Sequence, residues 1–290
     1  MRFYKFAPAL CILTFFIGYG FTPSQKVEVR PVEPALLVTA GPGPENIIPP
    51  PLSGQEIFPE DEDHETLYSR QFRIKLMETA EVFHRDEVKA KSGETWLGLF
   101  SENGKFSLRS TKITVRRVFD ELSDDEKTGK WTGKSVSTEG AKPVFLLKGA
   151  KELSEGRVTT LFRMPHHEEG HLENQEYASI RPGFSKDFTI GKTTYTLTAR
   201  SGRTSSGKTT LALLLESGGT SQVIHTVPDF EGNYLGSIEW VGDLDRDGKP
   251  DFYLGLYVHD NVGYRNLFLS SPAKKGKLVE KVAFFWTTGC

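Results

Sequence analysis

From Gln71 to Phe285 the chain is a succession of short stretches in which apolar and polar residues alternate, the period of a strand with one buried face. They fall at 71–77, 95–100, 105–119, 144–148, 158–163, 193–199, 209–215, 222–227, 266–270 and 278–285, with two more at 237–241 and 252–258. Tyr195, Leu197 and Ala199 share one face, as do Leu211, Leu213 and Leu215. Glu102-Asn103-Gly104 and Ser217-Gly218-Gly219 carry the residues of tight hairpin turns. Only residues 119–127 read as a helix, and a short one. The pattern predicts an all-β fold of antiparallel strands, arranged as a sandwich, a barrel or two packed sheets.

The first 63 residues break that pattern. Residues 1–20 read as an export signal: Arg2 and Lys5 supply the positive end, an apolar run extends from Phe6 to Phe16, and Gly18 and Gly20 are the small residues a signal peptidase reads. The run is short against the roughly 20 residues a membrane span needs, so cleavage leaves no transmembrane span. The alternative is an uncleaved N-terminal anchor. Leu10 precedes Cys11 where a lipoprotein signal has Gly or Ala, which counts against lipid attachment. After cleavage Cys290 is the remaining cysteine, and one thiol forms no internal disulfide. Residues 21–63 hold nine of the sixteen prolines and close on Glu60-Asp61-Glu62-Asp63. Proline removes backbone donors and favours extended structure, so this stretch is expected to be a disordered, semi-rigid Pro-rich linker. Residues 64–290 then form a β-rich domain with a substantial core, as one body or as two subdomains meeting near residue 150. A net charge of −2 gives no basic field for nucleic acid.

Between the stretches at 237–241 and 252–258 stands Asp243-Leu244-Asp245-Arg246-Asp247-Gly248-Lys249-Pro250-Asp251. Carboxylates this crowded repel one another unless a hard cation sits among them. Calcium takes about six to eight oxygen ligands, and alternate residues of a tight loop aim oxygens at one centre. With Asp243 first, Asp245, Asp247 and Asp251 supply side chains at the third, fifth and ninth positions. Lys249 supplies its carbonyl at the seventh, and Gly248 provides the sharp turn. A helix–loop–helix calcium hand needs a bidentate Glu at the twelfth position, here Leu254, and helical flanks, here β-rich. The strand, Asp-rich loop and strand together resemble the calcium loops of FG-GAP/VCBS repeats, found in integrin propellers and many secreted bacterial proteins. The resemblance spans residues 237–257 and occurs once. It implies the loop's calcium chemistry but not a propeller, which needs several similar blades.

Two further spacings match known motifs. Gly202-Arg203-Thr204-Ser205-Ser206-Gly207-Lys208-Thr209 has the form of a phosphate-binding P-loop, which works between a buried parallel strand and a helix whose N-terminus faces the phosphates. Here an alternating strand precedes the motif, Gly218-Gly219 soon follows, and 221–227 looks like a hairpin partner. A hairpin loop with no nucleotide partner is expected. His167-Glu168-Glu169-Gly170-His171 has the zinc-peptidase spacing, in which two histidines on one helical face hold zinc and the Glu polarises a bound water. Pro165 before it, Gly170 within it and polar residues after it disfavour that helix. A polar loop is expected, where His166, His167 and His171 bind a transition metal adventitiously if at all. Trp96, Trp131, Trp240 and Trp286 could line a glycan platform, though isolated tryptophans in β proteins more often belong to a core. Residues 120–126, acidic but without a glycine turn, read as a solvated loop.

These readings point to an exported calcium-binding β-rich protein, periplasmic or extracellular. Its expected role is binding or scaffolding toward a protein or glycan at the cell envelope, not catalysis. The alternative is a secreted zinc-dependent hydrolase with His167 and His171 as ligands and Glu168 as base.

Overall fold

The computed structural model describes residues 56–59, 71–164, 178–230, 232, 234–256 and 262–288. Among them lie seventeen strands and one 3-10 turn, Glu126–Thr128. The strands before that turn are β1 (Ile57–Phe58), β2 (Lys75–Met77), β3 (Ala80–Phe83), β4 (Thr95–Glu102) and β5 (Lys105–Val118). After it come β6 (Gly133–Thr138), β7 (Leu146–Lys148), β8 (Gly156–Arg163), β9 (Ser179–Ile180), β10 (Ser185–Ile190) and β11 (Thr193–Thr204). The last six are β12 (Thr209–Ser217), β13 (Thr220–Pro228), β14 (Gly236–Asp243), β15 (Asp251–Leu256), β16 (Val262–Leu269) and β17 (Glu280–Thr288).

Tight turns convert the alternation into hairpins. Asn103 and Gly104 take φ of 50° and 72°, a geometry that matches strand twist, and β4 pairs with β5 from Glu102↔Lys105 outward. Gly218 and Gly219, at φ 54° and 79°, do the same for β12 and β13. The larger sheet follows the order β17-β16-β15-β14-β8-β5-β4-β7-β2, with β9 on β14 and the β3–β6 pair on the far half of β5. It curls into a nearly closed barrel. The two ends of its path, β17 and β2, come side by side without pairing. The second sheet, β11-β12-β13 with β10 and the parallel β1 on the other edge of β11, is a curled half-barrel. The fold is thus all-β, as the alternation predicts.

Two cores meet across the middle of the larger sheet. Inside the barrel, the ring of Phe145 lies 4.7 Å from that of Tyr253 and 6.1 Å from that of Trp240, with Leu99, Leu108 and Val158 packed around them. This interior draws on residues from both sides of position 150. On the outer face, Ile238, Phe252, Leu254 and Phe268 pack with Leu197, Leu211, Leu213 and Leu215 of the second sheet. Phe188 of β10 meets Phe252 edge-on at 5.7 Å. Neighbouring residues of β15 therefore enter different cores, and every position of β15 is buried. This explains why the continuous run Phe252-Tyr253-Leu254 is not an alternating one. Each large side chain so buried contributes about 1.5–3 kcal/mol, and the Asp-rich loop hangs from the end of this anchored pair, β14 and β15.

The expected helix over 119–127 is replaced by the 3-10 turn, because aspartates there take the backbone donors. Asp124 Oδ2 accepts from the Asp120 and Thr132 N–H groups at 2.9 and 2.8 Å, and Asp125 Oδ1 accepts from Lys127 N at 2.9 Å. Nor is the acidic stretch fully solvated. Asp120 is completely buried, with His84 Nδ1 2.8 Å from its Oδ1. Burial pushes its carboxyl up, but hydrogen bonds led by that from His84 hold it below the usual carboxylate range.

Candidate metal centre

The loop joining Asp243 to Asp251 is shaped by its own carboxylates. Arg246 and Gly248 turn the chain with φ of 63° and 80°. Asp245 Oδ1 accepts from Asp247 N at 3.2 Å, Asp247 Oδ1 from Lys249 N at 2.9 Å, and Asp243 Oδ2 from Gly248 N at 3.1 Å. The result brings one oxygen each of Asp243, Asp245 and Asp247 within 4.8 Å of one another, a group that could hold a metal ion. Asp243 is buried, and its Oδ1 has no hydrogen-bond partner among the described residues. Burial, together with the charges of Asp245 and Asp247, pushes the Asp243 carboxyl up despite the Gly248 N–H.

Asp251 stands beside this group and is not one of the three whose oxygens converge. It is fully buried; Oδ2 accepts from Leu244 N at 2.7 Å and Asp245 N at 3.4 Å, while Oδ1 accepts from Ser270 N at 2.8 Å and Ser270 Oγ at 3.1 Å. The carboxylate ties the loop to the end of β16. Burial, and then the charge of Asp245, push it well above its ordinary value. The Ser270 hydroxyl also lies 2.9 Å from Asp247 Oδ1, yet it has one proton for two carboxylates. Lys249 contributes its N–H to Asp247, and its Nζ sits 3.4 Å from Asp247 Oδ2.

Arg246 points away from the aspartates. Its guanidinium donates to the carbonyls of Arg157 and Ser154 at 3.0 Å each and to Ser154 Oγ at 2.9 Å, pinning the loop to the start of β8. Gly156 makes room for it: a Cβ there would lie 3.0 Å from Arg246 Nη2. Sequence spacing singled out the aspartates but not Ser154 or Ser270. These stand just before β8 and just after β16, far from the loop in sequence, and no local pattern marks them.

The other sequence candidates fare differently. Gly202 to Thr209 spans an antiparallel hairpin, with Gly202↔Thr210 and Arg203↔Thr209 in register and Gly207 at φ 86°, so no helix follows the glycines. His166, His167, Glu168 and His171 lie outside the described residues. Trp240 and Trp96 are both core, while Trp131 is half exposed. A further polar cluster had no sequence signal. The Tyr253 hydroxyl donates to Glu78 at 2.5 Å, Arg265 Nε reaches the same oxygen at 3.0 Å, and Glu239 lies 3.8 Å from Arg265. Burial opposes the charge on Arg265, but the two glutamates and Tyr253 more than offset it and hold the guanidinium firmly protonated. The cluster ties the β2–β3 turn to the barrel wall. No helix of the described residues is long and apolar enough to cross a membrane. Comparison with protein-family models, curated proteins and solved structures finds no match.

Proposed function

We propose that this protein is an exported β-rich binding or scaffolding protein whose 243–251 loop holds one structural calcium ion. The observation that carries the reading is the buried, unpartnered Oδ1 of Asp243 in a group with Asp245 and Asp247. Leaving a buried charged oxygen unpaired costs several kcal/mol, and a cation removes that cost. The donors are all oxygens, with the Lys249 carbonyl as the expected further ligand, and a hard-oxygen set suits calcium over zinc or copper. The FG-GAP/VCBS-like spacing supports the same ion. Asp251 serves here as the brace that holds the ligating residues in place. Export rests on the charged, apolar and small-residue order of residues 1–20, and the expected partner is a protein or glycan at the cell envelope.

Calorimetric titration with calcium tests the reading. One site per chain is expected, with a dissociation constant on the order of 10⁻⁴–10⁻³ M, and Asp245→Ala should abolish it. Absence of calcium binding in a folded sample, or stoichiometric zinc in its place, would overturn the proposal.

A further inference from the structure

The hydrogen-bonded path of the barrel has two ends, and the described residues there do not close up completely. A cleft of about 720 Å³ opens there, between the chain leading into β2, the β3–β4 connection and β17. Phe285 points into the barrel core, so its neighbours Phe284 and Trp286 face outward, and both line the cleft with Phe72. All three rings are half-buried. They are held by packing: Phe284 stacks on Tyr264 at 5.3 Å and meets Phe72 at 6.4 Å.

The polar lining is partly fixed and partly free. Glu94 accepts from Trp96 Nε1 at 3.2 Å and from Lys148 Nζ at 2.9 Å, and the Lys148 bond leads in keeping it ionised. Glu87 bridges the His84 N–H and Thr288. Lys75, Asp86 and Lys89, by contrast, are exposed and have no ion-pair partner among the described residues.

This composition excludes most ligand classes. Charged side chains along the cleft do not suit an acyl chain, and carboxylates among the lysines do not suit an anion. A peptide strand would need about 4.8 Å on each side to pair with both edges. The seam is already bridged by Phe83 on Phe285 at 5.7 Å and by Phe72 on Phe284. A ligand with flat apolar faces and a rim of hydroxyls does fit, because hydroxyls both donate to carboxylates and accept from ammonium groups.

We propose that the seam cleft binds a neutral saccharide, with a pyranose face on Trp286 and hydroxyls on Asp86, Lys75 and Lys89. The inference rests on the proposed binding role and selects a glycan as its partner, but it does not depend on calcium. The test titrates cellobiose, maltose and N,N′-diacetylchitobiose into the full chain by calorimetry, once with calcium and once with chelator. At least one should bind in both conditions, with a dissociation constant on the order of 1 mM. Trp286→Ala should weaken binding about tenfold, and Trp131→Ala should leave it unchanged. If Trp286→Ala does not fold, the exposed pair Lys75→Ala with Asp86→Ala replaces it, with the same loss expected. No binding by any of the three sugars, or binding indifferent to these cleft variants, overturns the proposal. So does binding of an extended Thr-Val repeat peptide where no sugar binds, which would make the seam a strand-addition site.

Discussion

The loop between β11 and β12 and the loop between β14 and β15 both join antiparallel neighbours, and both match a ligand-binding spacing. In the first, the glycines answer to the fold. A Cβ on Gly202 would lie 2.5 Å from the Phe58 ring and 2.6 Å from the Glu56 carbonyl, so this glycine exists to let β1 lie against β11. Gly207 turns the hairpin, and Lys208 reaches Asp229 at 3.0 Å with both side chains more than half exposed. Every chemical group of that motif has a structural occupation or faces water. In the second loop, three carboxylate oxygens converge and a buried one is left without a partner. Spacing reports which atoms can meet. Convergence together with a buried, unpartnered oxygen marks where a cation could sit.

The largest effect that sharpens this contrast is expected at Asp251. Asp251→Ala removes the acceptor for Leu244, Asp245 and Ser270 in a fully buried place. The cost should be about 3 kcal/mol, because buried donors are left unsatisfied. Chemical denaturation in chelator and in calcium measures it, and the loss should be similar in both. A loss confined to the calcium-loaded protein would make Asp251 a ligand and not a brace. Next in size is calcium itself, which should stabilise the wild type by about 1.4 kcal/mol at ten times its dissociation constant. Asp245→Ala should erase that gain while changing stability little in chelator, since Asp245 is only half-buried. An equal gain in the variant would move the ion elsewhere.

Much of this was legible beforehand, and what was not has identifiable physical causes. Strands with one buried and one more open face announced themselves, as β5 and β11 did. β6 (Gly-Lys-Ser-Val-Ser-Thr) did not, because Val136 is its only large apolar residue, and β10 offers just Phe188 and Ile190. β11 runs past its expected end at Ala199 because Gly202, which looks like a loop residue, sits under Phe58. At the candidate metal centre, the spacing marked all four aspartates but not which of their oxygens converge and which are taken up by backbone donors. That difference comes from Ser270, delivered by the far end of β16, and from the depth at which β15 begins. Local sequence sees neither. The barrel seam was equally hidden: Trp96 and Trp286 stand far apart in the chain and are brought to one cleft only by closure of the sheet.

An effect of similar size is expected at the first loop's leading glycine. Gly202→Ala should cost about 1–3 kcal/mol, the usual range for overpacking, because the Phe58 ring must move. In a Phe58→Ala background the cost should shrink, since part of the clash is gone, and the two changes touch one another. Thermal melts of the four proteins in this cycle give the coupling. Costs that simply add would mean that Gly202 is conserving something other than room for Phe58.

The smallest effect is predicted for Lys208, the residue on which a P-loop depends most. Its ammonium is exposed, and its pairing with the exposed Asp229 is the kind of surface contact worth about 0–1 kcal/mol. Lys208→Ala should therefore shift stability by no more than about 0.5 kcal/mol. It should also leave calcium binding at the distant loop intact. Neither wild type nor variant should bind ATP, because the hairpin offers no helix N-terminus to the phosphates. Micromolar ATP affinity in the wild type that vanishes in Lys208→Ala would break the comparison at its base, making the β11–β12 loop the functional one despite the antiparallel partner that follows it.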